Sequence, residues 1–170
     1  MLLPTGLPVR TGVRLAIDPG SVRIGVARCD PAGILASPLT VLRRGKGDLD
    51  RLAALVRDEA AVEVIVGLPT SLSGRQGQAA AAARRFAGDL AARVAPVPVR
   101  LLDERFTTTT AHESLRRGGR DSRARRETVD AAAAAVLLEA ALDAERSSGR
   151  APGEAVLPAQ RGDTNGSGGW

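Results

Sequence analysis

The stretch VRLAIDPGSVRIGVARC, residues 13–29, decides how the rest of the chain is read. Residues 13–18 (VRLAID) are a short apolar run, and residues 23–29 (RIGVARC) are a second. Between them Pro19-Gly20-Ser21 is a turn signal: proline presets φ, and glycine tolerates conformations that other residues avoid. Two such runs joined by a turn predict a β-hairpin. A third short strand is expected near residues 33–41 (GILASPLTV), where Pro38, having no N–H to donate, marks an edge or a bulge. Outward from there the pattern alternates. Leu49, Leu52, Leu55 and Val56 have helical spacing within 48–60, and residues 62–67 (VEVIVG) are an apolar strand. Leu68 to Gly77 is a polar loop, 78–93 an Ala-rich helix, and 97–102 (VPVRLL) a strand ending at Asp103-Glu104. A helix from about Thr108 to Arg117 and an Arg-rich loop follow. The helix over 129–145 (VDAAAAAVLLEAALDAE) is the strongest, since Ala and Leu are the best helix formers. This order predicts an α/β fold with a mixed five-stranded sheet, a three-strand antiparallel meander plus two parallel strands, flanked by helices.

A chain of 170 residues is long enough for one α/β core and too short for two. The expected organisation is a flexible arm over 1–12, a single domain over 13–145, and a disordered tail over 146–170, which is rich in Gly, Pro, Ser and charge. No apolar run reaches the roughly 18 residues of a membrane span. Pro4 and Pro8 interrupt the N-terminal stretch, so a secretory signal is not expected and a cytoplasmic location is. The lone Cys29, within a strand pattern, reads as a small core residue.

The net charge is +5, and residues 116–126 (RRGGRDSRARR), with six Arg and one Asp, carry that same surplus. Such clustering points to an anionic partner. Only Phe86, Phe106 and Trp170 are aromatic, which argues against a stacking platform for single strands. Recognition of nucleic acid would rest on backbone charge and shape. No long apolar strip marks a dimer face, so a monomer or weak homodimer is expected.

Three acidic positions stand out. Asp18 ends the first strand and runs into the turn, at the lip of the sheet where open α/β folds bind ligands. It could equally do no more than start that turn. Asp103 and Glu104 end another apolar strand, and since side chains alternate faces, only one of them readily shares a site with Asp18. The pattern does not say which, and an ion pair with Arg105 or Arg100 is the plainer role. Asp130 lies on the helix stripe Asp130, Ala134, Leu137, Leu138, Ala141, which is otherwise apolar, so its carboxylate is costly unless paired or metal-bound. With Thr128 as an N-cap, the first-turn position alone would also explain it. The run Ala131–Ala135 gives this helix a thin side that can lie close to the sheet. Converging carboxylates would need a cation, and hard oxygen donors select Mg²⁺ or Mn²⁺. Paired ions of that kind hydrolyse phosphodiesters without a His or Ser nucleophile, which suits a chain with one His.

In this order and spacing, LAIDPGSVRIGVA (15–27), IVGLP (65–69) with Gly74 after it, LLDERFTT (101–108) and VDAAAAAVLLE (129–139) resemble the YqgF/RuvX family. That family is ribonuclease-H-like and is described as Holliday junction resolvases and pre-16S rRNA nucleases. The resemblance covers about residues 13–142. It implies a ribonuclease-H-like fold, with Asp18, Glu104 and Asp130 as catalytic residues and ligands of Mg²⁺ (or Mn²⁺). It implies a substrate loop carrying Gly67, Pro69 and Gly74. Two departures stand out: TSLS between Pro69 and Gly74 replaces a run that often holds Asn and Asp, and Thr128 occupies a position that is often basic.

The function so implied is metal-dependent hydrolysis of phosphodiester bonds in structured RNA or branched DNA. Maturation of pre-16S rRNA ends is favoured, and Holliday junction resolution in DNA recombination is the alternative. A non-catalytic nucleic-acid-binding module and an actin-like ATP-binding lobe, suggested by DPGSVRIG, are the remaining readings; the second needs two lobes. Arg105, Arg116, Arg117, Arg120, Arg123, Arg125 and Arg126 are the expected contacts to phosphate. Each phosphate contact on duplex DNA contributes about −0.9 to the slope of log K against log salt. Replacing Arg123, Arg125 and Arg126 together by Ala should flatten that slope by roughly two to three units. Affinity should fall alike for different sequences, measured as binding isotherms over a salt series.

Overall fold

The computed structural model describes residues 9–69, 77–106 and 123–160. Six strands form one sheet: β1 (Arg14–Pro19), β2 (Arg23–Cys29), β3 (Ala36–Arg43), β4 (Glu63–Leu68), β5 (Val99–Asp103) and β6 (Glu154–Ala155). Among the described residues three helices accompany them: α1 (Asp48–Asp58), α2 (Gln78–Val94) and α3 (Arg123–Ser148). The spatial order is β3-β2-β1-β4-β5-β6. The first three strands are the expected antiparallel meander, and β1, β4 and β5 are parallel. Pro38 lies at both of the features foreseen for it: β3 is an edge strand, and its register slips where Val26 faces Thr40 but Ala27 faces Pro38.

Strand alternation divides the core in two. Leu15, Ile17, Ile24, Val26, Val64 and Val66 face α1 and α2, with Leu52, Val56, Phe86 and Leu90 packed on them. The opposite face carries Ala16, Ala27, Cys29, Ile65 and Leu102 under α3, which buries Ala134, Leu137, Leu138, Ala141 and Leu142. Each large apolar side chain removed from water in this way contributes about 1.5–3 kcal/mol. The small core residues that the strands contribute, Ala16, Ala27, Cys29 and Ala36, are on the α3 side, so that helix sits low on the sheet.

Three differences from expectation stand out. The sheet has six strands rather than five, because β6 comes from the segment read as a tail. It is two exposed residues with no apolar pattern to betray it, and it pairs antiparallel with β5 through backbone bonds such as Val156 N–H to Val99 O. Arg100 donates to the carbonyls of Pro152 and Gly153, and Arg84 pairs with Glu154, so this strap is held by groups that propensity does not register. The last helix begins at Arg123, so Arg123, Arg125 and Arg126 are helical rather than in a loop, and Thr128 is not its N-cap. The end of the N-terminal arm is docked: Arg10 donates to Glu145 (Nε···Oε1 2.8 Å) and to Glu63 (2.9 Å). Residues 1–8, the helix expected from Thr108, and residues 161–170 lie outside the described residues. Among the described residues, no helix is long and apolar enough to cross a membrane.

Arg10 belongs to a charge cluster at the end of the α3 face that begins β1 and β4. Arg14, Glu63 and Glu145 are all buried there. Burial works to raise the Glu145 carboxyl, but hydrogen bonds from the Arg10 side chain and backbone, with the charges of Arg14 and Arg10, outweigh it and hold its pKa below the ordinary value. A group depressed in this way stabilises the fold above its unfolded pKa, and the contribution is lost as pH falls through the folded value. Glu145→Gln should destabilise the protein by about 3–5 kcal/mol at neutral pH, since it leaves buried Arg14 poorly compensated. It should also remove part of the stability loss that the wild type shows below pH 4.5, read by urea denaturation over a pH series.

Candidate active site

The α3 face of the sheet sorts the acidic residues. On β1, Ala16 faces α3 while Leu15 and Ile17 face away, so Asp18 emerges on the α3 side. On β5, Leu102 faces α3 and Leu101 faces away. Glu104 follows two residues after Leu102, at the start of a short 3₁₀ turn over Glu104–Phe106, and joins the α3 side. Asp103 leaves on the other side, where it accepts bonds from Arg105 N–H (2.9 Å), Nε (3.0 Å) and Nη2 (2.8 Å). Because α3 covers the Leu102 face of β5, Glu104 lies on its side and Asp103 does not, and the ion pair foreseen for one of them is Asp103–Arg105.

Gly67, on β4 between β1 and β5, marks where two of the acids meet. A Cβ at that position would lie 3.2 Å from Glu104 Oε1, 3.2 Å from Leu137 Cδ2 and 3.8 Å from Asp18 Oδ1. The missing side chain is the space into which both carboxylates point. Pro69 follows at the start of the loop, half-buried, and Gly74 lies outside the described residues.

Asp130 reaches the same end of the sheet by a different route. Gly25 is the cross-strand partner of Asp18. A Cβ on Gly25 would overlap the carbonyl oxygen of Asp130 itself, so α3 touches β2 backbone to backbone at this residue. The seven residues of helix ahead of Asp130 remove the first-turn explanation for its position, because the dipole effect fades beyond the terminal turn. Its carboxylate accepts a bond from Arg23 Nε at 2.6 Å, with both side chains partly exposed. Among the described residues no three acidic, His or Cys side chains are grouped closely enough to hold one ion. Asp18 and Glu104 are thus drawn together, while Asp130, placed beside Asp18 by the backbone, is turned toward Arg23.

Of the residues expected to touch phosphate, Arg105 is mostly exposed but folded onto Asp103. Arg126 is exposed on the first turn of α3, which Arg123 and Arg125 share. Arg116, Arg117 and Arg120 lie outside the described residues. Sequence reasoning passed over Arg23 and Gly25. Alternation along RIGVARC could have found them, since Arg23, Gly25, Ala27 and Cys29 share one face.

The donor set at Gly67 is two carboxylates around one gap, which suits a hard divalent cation by ligand type and charge. The chain is also similar to known proteins. The family model described as "RuvX: Holliday junction resolvase" matches residues 12–144. Relatives from Thermobifida fusca (strain YX) and Nocardioides sp. (strain ATCC BAA-499 / JS614), each named "Putative pre-16S rRNA nuclease", are 62% and 60% identical over 155 and 153 residues, spanning 87% of this chain and 98% of theirs. A solved structure described as that of Thermus thermophilus RuvC matches at 17% identity and a TM-score of 0.47, over 78% of this chain and 95% of that one.

The two glycines at the site should differ in what they tolerate. Gly25→Ala places a methyl group inside a helix carbonyl, so α3 must shift, at a cost of about 1–3 kcal/mol or more in urea denaturation. Gly67→Ala meets only movable side-chain atoms at 3.2 Å and should cost less stability. Its added methyl should instead displace Glu104, weakening Mn²⁺ binding in a titration followed by electron paramagnetic resonance.

Proposed function

This chain belongs to the RuvX family, and from that premise we propose that it is a Mg²⁺-dependent nuclease that hydrolyses phosphodiester bonds at the ends of pre-16S rRNA. The observation that carries the reading is the meeting of the Asp18 and Glu104 carboxylates over Gly67. Relatives up to 62% identical carry the pre-16S rRNA nuclease name. Asp18 and Glu104 would hold the ion, with Asp130 the third ligand once its carboxylate turns from Arg23. Bound there, Mg²⁺ (or Mn²⁺) supplies activation of a water and charge compensation at the leaving oxygen.

The protein's own part is placement. Gly67 leaves room for the ion and for a phosphate oxygen beside it. The 3₁₀ turn aims Glu104 inward while Arg105 ties Asp103 outward, so one acid of the pair serves the site and the other holds the turn. By the family resemblance Pro69 and Gly74 would belong to the substrate loop, and Arg116, Arg117, Arg120, Arg123, Arg125 and Arg126, which precede Asp130 in sequence, would contact phosphate. Residues 13–145 form the nuclease domain, and a cytoplasmic setting follows from the substrate. Holliday junction resolution is the second reading, favoured by the description of the family model. It would require two symmetric sites and hence a dimer. Incubation with Mg²⁺ and either precursor rRNA or a four-way DNA junction separates the two.

Asp18→Asn should leave no detectable cleavage of precursor rRNA while folding and nucleic-acid binding persist. Without divalent ions its melting temperature should rise, because one of the crowded negative charges is gone. Glu104→Gln should lower the cleavage rate beyond the about 10–100-fold typical of residues that only support a ligand, whereas Asp103→Asn should stay within about tenfold. Equal losses in these last two variants would mean that the pleat assigns the acids wrongly.

A further inference from the structure

Beside the carboxylates lies a second feature that they do not explain. Arg23 and Arg43 are cross-strand partners at the ends of β2 and β3. Their side chains therefore share the α3 face, and like charges placed directly opposite on a sheet are destabilising. Asp130 offsets Arg23 alone, through Nε. Among the described residues, the two terminal nitrogens of Arg23 have no hydrogen-bond partner, and the exposed Arg43 makes no ion pair. The two residues line an open cleft of about 230 Å³ between the strand ends and the start of α3, together with Val22, Val41, Leu42 and Glu127.

The cleft is held in shape from outside. Arg44 N–H donates to Val22 O (2.9 Å), its guanidinium to Gly20 O (3.3 Å), and Gly20 N–H to Arg23 O (2.8 Å), which ties the β1–β2 turn to the end of β3. A guanidinium fork with unused donors beside a second guanidinium is suited to an anion with several oxygens, and phosphate fits that geometry better than a single carboxylate.

We propose that Arg23 and Arg43 form a subsite for a backbone phosphodiester of the nucleic-acid substrate, flanking the phosphate cleaved at Asp18 and Glu104. This rests on the nuclease reading and adds where the strand lies: across the ends of β2 and β3, on the side of Asp130 away from Glu104. Val22, Val41 and Leu42 offer an apolar wall to the sugar, and Glu127 on the helix side confines the anion to the strands. Arg23 touches both Asp130 and this subsite, so the strand bound here also acts on the residue that holds Asp130.

The test uses the full chain without divalent ions and two labelled probes, an RNA hairpin and a four-way DNA junction, with anisotropy followed over a salt series. Arg43→Ala should weaken binding about five- to tenfold at low salt, the loss of a charge-assisted contact. It should flatten the salt slope by about 0.9 on the junction. Arg43→Lys should restore the slope, because the charge returns. Arg28→Ala, which removes an exposed arginine paired with Glu59 at the other end of β2, should change neither quantity. A response with one probe only supports the subsite and names its nucleic acid. Unchanged affinity and slope in Arg43→Ala, with wild type binding normally, would overturn the subsite and leave the nuclease reading standing. Failure of the wild type to bind either probe would overturn both.

Discussion

The approach of α3 to β2 at Gly25 is the constraint on which the rest of the site depends. Helix and strand backbones meet there with no side chain between them. Ordinary helix-on-sheet packing interposes side chains and keeps the two backbones well apart. Here Ala16, Gly25, Ala27 and Gly67 on the sheet, with Ala131, Ala134 and Ala135 on the helix, leave little to interpose. The helix therefore delivers Asp130 to the lip of the sheet beside Asp18. A larger residue at Gly25 would lift the helix and with it the third acid. The same economy at Gly67 opens the gap that Asp18 and Glu104 share, so two glycines on the α3 face of the sheet, on strands either side of β1, shape the site.

The α3 face carries charge at both of its ends, treated in opposite ways. Where β1 and β4 begin, Arg14, Glu63 and Glu145 are buried and Arg10 closes over them, giving two cations and two anions that compensate one another. Even so, Arg14 Nε and Glu63 Oε1 have no hydrogen-bond partner among the described residues. Such a cluster adds less net stability than its contacts suggest, because each ion also had to leave water. What it does is fix the end of α3 and the incoming chain relative to the sheet. Where β1 and β4 end, Asp130 and Arg23 pair while partly open to solvent. One end is sealed to anchor the helix, and the other is where the proposed cation and phosphate would bind.

The strap over β5 completes the frame. Gly153 turns with φ +68° where a Cβ would overlap the Leu101 carbonyl, β6 covers the edge of β5, and Ala159 N–H continues to Gly88 O on α2. Pairing with β6 takes β5 off the edge, so among the described residues the sheet ends in β3 on one side and the two-residue β6 on the other. Since β5 carries Glu104 at its end, covering this edge also stiffens the strand that aims the acid.

Much of this was legible in the chain itself. The hairpin 13–29, the helices around α1 and α2 and the apolar strands 62–67 and 97–102 follow from periodicity and turn chemistry, which act over a few residues. The low approach of the last helix followed from its alanine run, and Asp18 and Asp130 stood out by their places at a strand end and on an apolar stripe, whereas the choice of Glu104 over Asp103 came only from the family resemblance. Other features depended on partners distant in sequence. Whether Asp103 or Glu104 turns inward depends on which face α3 covers, and a strand's pleat cannot know that. The docking of Arg10 onto Glu145 and the pairing of β6 are contacts over long separations between segments with little local preference of their own. The bond from Arg23 to Asp130 is of the same kind. Local pattern is enough to form the elements and place acids at their ends; only packing decides which charges meet, because that depends on how closely a helix can approach a sheet.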